Sequence, residues 1–191
     1  MRRVNIVAAC CGAMAAVSPA AGSAEPAKVL PNLEWLDFRS PKQCEWSDEA
    51  NRVFFTGVRF DERKDYIPVP ATTNIPGISN LVTSRMIVTA ESPNIITYYV
   101  DFDGRWNGLT VLGLMGIHDK DSLAGDRTGI RFAEPVGTVA RKLAQAGFLV
   151  NANGGDDPQE TIHFEDEALY GVSTFLGSRN GETVFLCYEI H

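Results

Sequence analysis

Apolar and polar residues alternate along several stretches of this chain, and turn-forming residues separate the stretches. Strands have this period of two because successive side chains point to opposite faces of a sheet. The pattern predicts strands at 81–90, 95–102, 109–117, 148–152, 161–165, 170–177 and 183–190. A further strand is predicted at 52–60, where β-branched and aromatic residues are concentrated.

Two Asn-Gly pairs predict tight turns between neighbouring strands. Asn180-Gly181 closes a C-terminal hairpin, since both central residues of its turn need positive φ. An earlier hairpin could turn at either Asp103-Gly104 or Asn107-Gly108. The second option keeps one face of the hairpin apolar, so it is preferred, and Asp103-Gly104 becomes a bend or bulge within the strand. In that register Phe102 faces Gly113.

One segment has a clear helical period, with apolar residues recurring at i, i+3, i+4 and i+7. These residues are Val136, Val139, Ala140 and Leu143. Pro135 suits the first helical position, where its missing N–H costs nothing, and Gly147 suits the end of the helix. The sequence therefore predicts an α+β fold: an antiparallel β-sheet of about seven to eight strands, with a meander and a C-terminal hairpin, and one amphipathic helix packed on it.

The N-terminus has the layout of a secretory signal peptide. Two arginines precede a short apolar run at 4–17, and small residues follow up to Ala24. The run is shorter than the about 20 apolar residues that cross a bilayer. Cleavage is predicted between Ala24 and Glu25, with Gly22 as the other candidate and a retained anchor as the alternative. This short, alanine-rich signal is of the bacterial type and predicts a periplasmic or secreted protein.

Residues 25–191 are expected to form one globular α+β domain, because a chain of this size normally buries one core. Its first part, 25–51, is polar and interrupted by prolines, so we expect an irregular segment tied down by Cys44. No second long apolar stretch follows the signal, and no transmembrane segment is predicted in the mature chain.

Charge limits the range of partners. The full chain has 17 Lys and Arg residues and 24 Asp and Glu residues, a net charge of −7. Signal cleavage removes two arginines and no acidic residue, so the net charge becomes −9. An acidic surface repels phosphate backbones, which argues against nucleic acid, and it favours a basic protein or a cationic ligand.

Two cysteines remain after signal cleavage, Cys44 and Cys187. An even pair in a chain exported to an oxidising compartment predicts a disulfide between them. The bond would close a loop of about 144 residues and, in the loop-entropy model, stabilise the fold by up to roughly 5 kcal/mol. Two buried free thiols are the alternative.

The densest acidic segment is the leading candidate for partner binding. A docking face for a basic partner would use its charge to speed encounter, and a solvated loop and strand edge is the alternative. The candidate residues are Asp156, Asp157, Glu160, His163, Glu165, Asp166 and Glu167.

A polar loop after one strand is the candidate metal site, through His118, Asp119 and Asp121. It needs at least one further ligand from elsewhere in the fold. Asp101 and Asp103 cannot join it, because they lie too far along the strand from His118. The sequence has no H-E-x-x-H, C-x-x-C, phosphate-binding glycine loop or dinucleotide fingerprint, and no cofactor is predicted.

These observations favour an exported, non-catalytic binding or inhibitor module with an acidic docking face. Absence of local motifs does not exclude an enzyme, because folding can bring distant carboxylates together. The alternatives are a metal-assisted hydrolase of the cell envelope, which elemental analysis would test, and a structural component of an envelope complex.

If Cys44 and Cys187 are paired, a thiol-alkylating reagent should increase the mass of the unfolded mature chain only after reduction. Mass spectrometry of the alkylated protein, with and without reductant, checks this. Alkylation of both residues without reductant would show free thiols and remove the disulfide.

Overall fold

The computed structural model describes residues 29–61, 67–121, 127–164 and 171–190. The predicted signal peptide and its cleavage site lie outside the described residues. So do three members of the acidic segment, Glu165, Asp166 and Glu167.

The described residues form two α-helices, a short 3-10 helix at Pro41–Gln43 and a set of strands. The helices are α1 (Asp48–Gly57) and α2 (Val136–Gln145). The strands are β1 (Phe38–Ser40), β2 (Glu45–Trp46), β3 (Val58–Asp61), β4 (Ile67–Pro70), β5 (Thr72–Thr73), β6 (Val82–Thr83), β7 (Arg85–Val88), β8 (Ile95–Trp106), β9 (Leu109–Asp119), β10 (Arg127–Phe132), β11 (Gln159–Phe164), β12 (Gly171–Arg179) and β13 (Glu182–Ile190).

The architecture is mostly one antiparallel sheet of seven strands, in the order β11-β12-β13-β10-β9-β8-β7. Strands β7 to β10 form a meander. The chain then passes through α2, and β11 to β13 form a second meander, whose last strand pairs with β10. The remaining strands form small two-stranded pairs, β1-β2, β3-β4 and β5-β6. The predicted antiparallel meander and C-terminal hairpin are therefore present.

Both Asn-Gly turns are where the sequence predicts them. Asn107 and Asn180 have φ of 51° and 54°, and each is followed by a glycine with positive φ. The register of the β8-β9 hairpin changes at a bulge between Asp101 and Gly104. Beyond the bulge Asp101, and not Phe102, faces Gly113. The predicted bulge position is confirmed, but the predicted register ignored the one residue that the bulge inserts.

The prediction of one helix and of a strand at 52–60 is wrong, because most of that stretch lies in α1. Ser47 begins the helix: its side chain accepts a hydrogen bond from the Ala50 N–H at 3.1 Å. Two acidic residues occupy the first turn, which favours the helix dipole. The buried residues recur at helical spacing, as Ala50, Val53, Phe54 and Gly57. The β-forming composition was outweighed by this cap and period.

The sequence analysis also did not predict β10, the middle strand of the sheet. Its six residues, RTGIRF, include two charged arginines, and a glycine of the kind that is depleted in strands. Pairing on both sides, with β9 and β13, fixes it in the sheet regardless. The strand predicted at 148–152 is absent: these residues form a loop after α2.

One face of the sheet, the helix face, carries the main core. Val100, Leu114, Ile130 and Phe185 point to it and pack in one cluster with residues of both helices. Aromatic rings connect the layers: Phe38 lies 4.1 Å from Trp46 and 4.5 Å from Phe148, between ring centroids. The N-terminal segment is therefore part of the core, through buried residues that its polar composition concealed.

The sulfur atoms of Cys44 and Cys187 lie at disulfide distance, with Cα atoms 5.4 Å apart. Cys44 follows the 3-10 helix, and Cys187 lies on the helix face of β13. The pair thus ties the N-terminal segment to the sheet, as the sequence predicts. Neither α1 nor α2 meets the length and apolarity needed to cross a membrane, and no other helix in the described ranges does.

The N-terminal segment also pairs with the backbone of β8. The Leu33 N–H donates to the Arg105 carbonyl at 2.8 Å, and the Arg105 N–H donates to the Pro31 carbonyl at 2.8 Å. This approach requires a glycine beside it: a Cβ on Gly104 would lie 2.6 Å from the Leu33 side chain.

Gly104→Ala should therefore destabilise the fold by about 1–3 kcal/mol, and Leu33→Ala by about 2–5 kcal/mol, because Leu33 is fully buried. The double variant should lose less than the sum of the two, since the shortened side chain leaves room for the new Cβ. Urea unfolding of the four proteins gives the coupling free energy. If the losses in unfolding free energy of the two single variants simply add in the double variant, the Leu33 side chain does not contact position 104.

Candidate functional site

The face of the sheet opposite the helices, the open face, carries a second and smaller core. It consists of Tyr99, Met115, Val184 and Leu186, and partly buried neighbours such as Ile117 and Phe175 pack against it. No residue of α1 or α2 belongs to this cluster. The open face therefore has a core of its own, separate from that of the helix face.

A charged residue, Arg131, lies in the middle of this face on β10, with only 3% of its side chain exposed. A buried charge is costly unless it is paired and hydrogen-bonded. Its guanidinium donates to the carboxylate of Glu182 and to the carbonyl of Leu112, each at 2.8 Å. It also donates to the carboxylate of Asp101. Carboxylates from two other strands thus surround this cation.

The backbone makes room for the Arg131 side chain at Gly113. A Cβ at this position would lie 2.7 Å from Arg131 Nη2 and 2.1 Å from the carbonyl oxygen of Val100. Its φ of +132° is also one that residues other than glycine rarely adopt. Glycine is therefore required at position 113 for two reasons, the space around it and its backbone conformation.

A second arginine completes the cluster from the edge strand β7. Arg85 Nε donates to Asp101 Oδ2 at 2.6 Å, and the guanidinium lies 3.9 Å from the centroid of the Tyr99 ring. The hydrogen bond to Asp101 raises the pKa of Arg85, although partial burial opposes it. Arg85 therefore remains charged, and Asp101 bridges two guanidiniums.

Two adjoining clefts open on this cluster. The smaller has a volume of about 90 Å³ and is lined by Arg85, Tyr99, Arg131, Arg179, Asn180, Glu182 and Val184. The larger has a volume of about 450 Å³ and lies beside Asp101, sharing Arg85, Arg131 and Glu182 with the first. The open face therefore presents a shaped, charged surface that the sequence prediction did not include.

The described residues of the acidic segment do not converge on one pocket. Asp156 stabilises the first turn of α2, because its Oδ1 accepts a hydrogen bond from the Gly137 N–H at 2.9 Å. Asp157 is exposed in the following turn. On β11, Glu160 points to the open face and His163 to the helix face, both exposed. These side chains form a surface along an edge.

The loop proposed for metal binding is held by its own hydrogen bonds. Asp119 Oδ1 accepts from the Asp121 N–H at 3.1 Å, and the Asn94 side-chain amide donates to Asp121 at 2.5 Å. His118 faces Ile96 across the sheet. Within the described ranges, no three His, Cys, Asp or Glu residues group as a metal site would require. Because 122–126 lie outside them, metal binding through His118, Asp119 and Asp121 stays a prediction.

Sequence reasoning missed the open-face cluster because its members come from strands β7, β8, β10 and β13. Only Tyr99 and Asp101 are close along the chain, and no local motif connects them with Arg85, Arg131 and Glu182. One signal was present: an arginine among apolar residues in RTGIRF, which becomes informative once that stretch is assigned to a central strand.

Comparison with family models, curated proteins and solved structures found no match to this chain.

Asp156 and Asp157 provide a matched test of structural and surface carboxylates. Asp156→Ala should destabilise the protein by about 1 kcal/mol, because it removes a hydrogen-bond acceptor and a negative charge from the start of α2. Asp157→Ala should change stability by less than about 0.5 kcal/mol, as for most exposed sites. Thermal and urea unfolding measure both. Equal effects of the two substitutions would contradict this assignment.

Proposed function

We propose that this protein is an exported, non-catalytic binding module that captures a basic protein partner along the edge strand β11. The single observation that carries the proposal is the composition of that edge: exposed apolar side chains, Ile162 and Phe164, share one face with the carboxylate of Glu160.

Strand β11 lies at the end of the sheet order and, among the strands that the structure describes, pairs with β12 only. The other side of such a strand presents backbone N–H and C=O groups that a further strand can pair with. Proteins commonly protect these edges with prolines, bulges or covering loops. Instead, Ile162 is 55% exposed and Phe164 is 59% exposed. An edge strand with exposed apolar side chains of this kind suits addition of a strand from a partner.

Charge indicates what kind of strand would bind. Asp157 and Glu160 flank the start of β11, and the sequence continues beyond its end with Glu165, Asp166 and Glu167. Net charge of the mature chain is −9, so a basic partner is attracted from a distance. A bound strand antiparallel to β11 would place a Lys or Arg opposite Glu160 and apolar residues opposite Ile162 and Phe164.

The test uses the immobilised mature chain to capture proteins from a periplasmic extract, with bound proteins identified by mass spectrometry. Replacing Asp157 with Asn and Glu160 with Gln should reduce capture about threefold or more and weaken its dependence on salt, because rim charges speed association. Replacing Ile162 and Phe164 with Ser should reduce capture at every salt concentration, because it removes apolar contact. Asp156 is left unchanged, since it stabilises α2.

The matched control replaces Glu34 and Glu91 with Gln. Both are exposed and lie away from β11, and the same two negative charges are removed. If this control reduces capture as much as the edge substitutions do, binding depends on net charge alone and β11 is not the docking site. Capture that survives both edge variants would also exclude this function.

A further inference from the structure

The hairpin that joins β12 to β13 leaves one cation of the open face without a carboxylate partner. Arg179 and Glu182 face each other across the hairpin, where a cross-strand ion pair is expected. Glu182 instead accepts from the buried Arg131 at 2.8 Å. Arg179 forms no ion pair with any residue in the described ranges, and it lines the smaller cleft.

The smaller cleft therefore has an excess of positive charge. Arg85, Arg131 and Arg179 line it, whereas Glu182 is the only carboxylate in its lining within the described residues. Asp101 neutralises part of this charge from the adjoining larger cleft. Within the lining of the smaller cleft itself, three guanidiniums face one carboxylate, and the carboxylates of the adjoining cleft, Asp101 and Asp103, lie outside that lining.

A second observation points to a missing partner at the same place. Arg131 Nε is buried and has no hydrogen-bond partner among the residues that the structure describes. Its other nitrogens are engaged with Glu182, Asp101 and the carbonyl of Leu112. A buried donor left unpaired costs about 1–3 kcal/mol, so such donors are normally satisfied by a water, an ion or a ligand.

We propose that the smaller cleft binds the oxyanion group, a carboxylate or a phosphate, of a small molecule. Guanidinium groups recognise both oxyanions through paired, charge-assisted hydrogen bonds. The volume of about 90 Å³ is enough for one such group, since about 10–15 Å³ of space for a water-sized sphere already holds one water. The rest of the ligand lies in the larger cleft beside Asp101, which favours hydroxyl or amine donors on that part.

The structure also indicates how each arginine contributes. Arg85 is fixed over the Tyr99 ring by its bond to Asp101, so part of its guanidinium is preoriented. Arg179 is exposed and free to close over the bound group. The Asn180 amide lies at the rim of the same cleft. This site is separate from the edge strand β11 and does not depend on the function proposed there.

The test is a titration of the ¹⁵N-labelled mature chain with sodium acetate and, separately, with sodium phosphate at pH 7 and constant ionic strength. Arginine Nε–H signals and the backbone signals of Asn180 and Gly181 are followed by NMR. At least one of the two anions should shift the signals of Arg85 and Arg131 to a plateau, with one common midpoint. Saturation by acetate alone identifies a carboxylate site, and saturation by phosphate alone identifies a phosphate site.

Arg179→Gln should raise the midpoint concentration about threefold to tenfold, since it removes one charge-assisted contact at an exposed site. Arg179 forms no ion pair with any residue that the structure describes, so this substitution should leave the protein folded. Arg127→Gln is the matched control: Arg127 lies on the open face of the same strand as Arg131 but stacks on Tyr188, 4.9 Å away, outside the cleft. The anion concentration at the midpoint of the titration should be the same for Arg127→Gln as for the unchanged protein.

Three results would overturn the proposal. The first is a shift that rises linearly without a plateau for both anions. The second is an equal response to sodium chloride, which would show general ionic screening. The third is a midpoint that is unaffected by Arg179→Gln, or that Arg127→Gln changes as much.

Discussion

The cost of burying one positive charge in the middle strand of the sheet governs the arrangement of the open face. Arg131 is 3% exposed, and a buried guanidinium without partners would cost several kcal/mol. Three features around it meet most of this demand: the carboxylates of Asp101 and Glu182, the carbonyl of Leu112, and the space that Gly113 leaves. Each feature lies on a different strand from Arg131, so hydrogen bonds of this one side chain connect β10 with β8, β9 and β13.

The two faces of the sheet are stabilised by different means. On the helix face, both helices and the N-terminal segment exclude water through aromatic and aliphatic packing, and the Cys44–Cys187 pair holds that segment to β13. The open face has only a small apolar cluster, and polar pairing around Arg131 occupies the space beside it. Since the helix face supplies most of the apolar burial, the open face can carry charges and clefts without loss of the fold.

Local signals in the sequence correctly predicted the turns and the helix that local interactions determine. Asn107-Gly108 and Asn180-Gly181 turn where positive φ is needed, and α2 follows its apolar period. The strand prediction at 52–60 was wrong because β-forming side chains were weighted above the cap at Ser47. Strand β10 was missed since its place depends on pairing with β9 and β13, which the sequence alone does not reveal. The open-face cluster has the same origin, so no local pattern could have assembled it.

Glu182 shows that an interaction between residues distant in the sequence can outweigh a local pairing preference. Hairpin geometry places it opposite Arg179, and an exposed pair of that kind contributes about 0.2–1 kcal/mol. Leaving the buried Arg131 short of a partner would cost about 3–5 kcal/mol. The larger energy prevails: Glu182 bonds Arg131, and Arg179 forms no ion pair with any residue that the structure describes. The same pairing that stabilises the centre of the sheet therefore leaves, in an acidic protein, an arginine in the lining of the cleft for which we propose an anion.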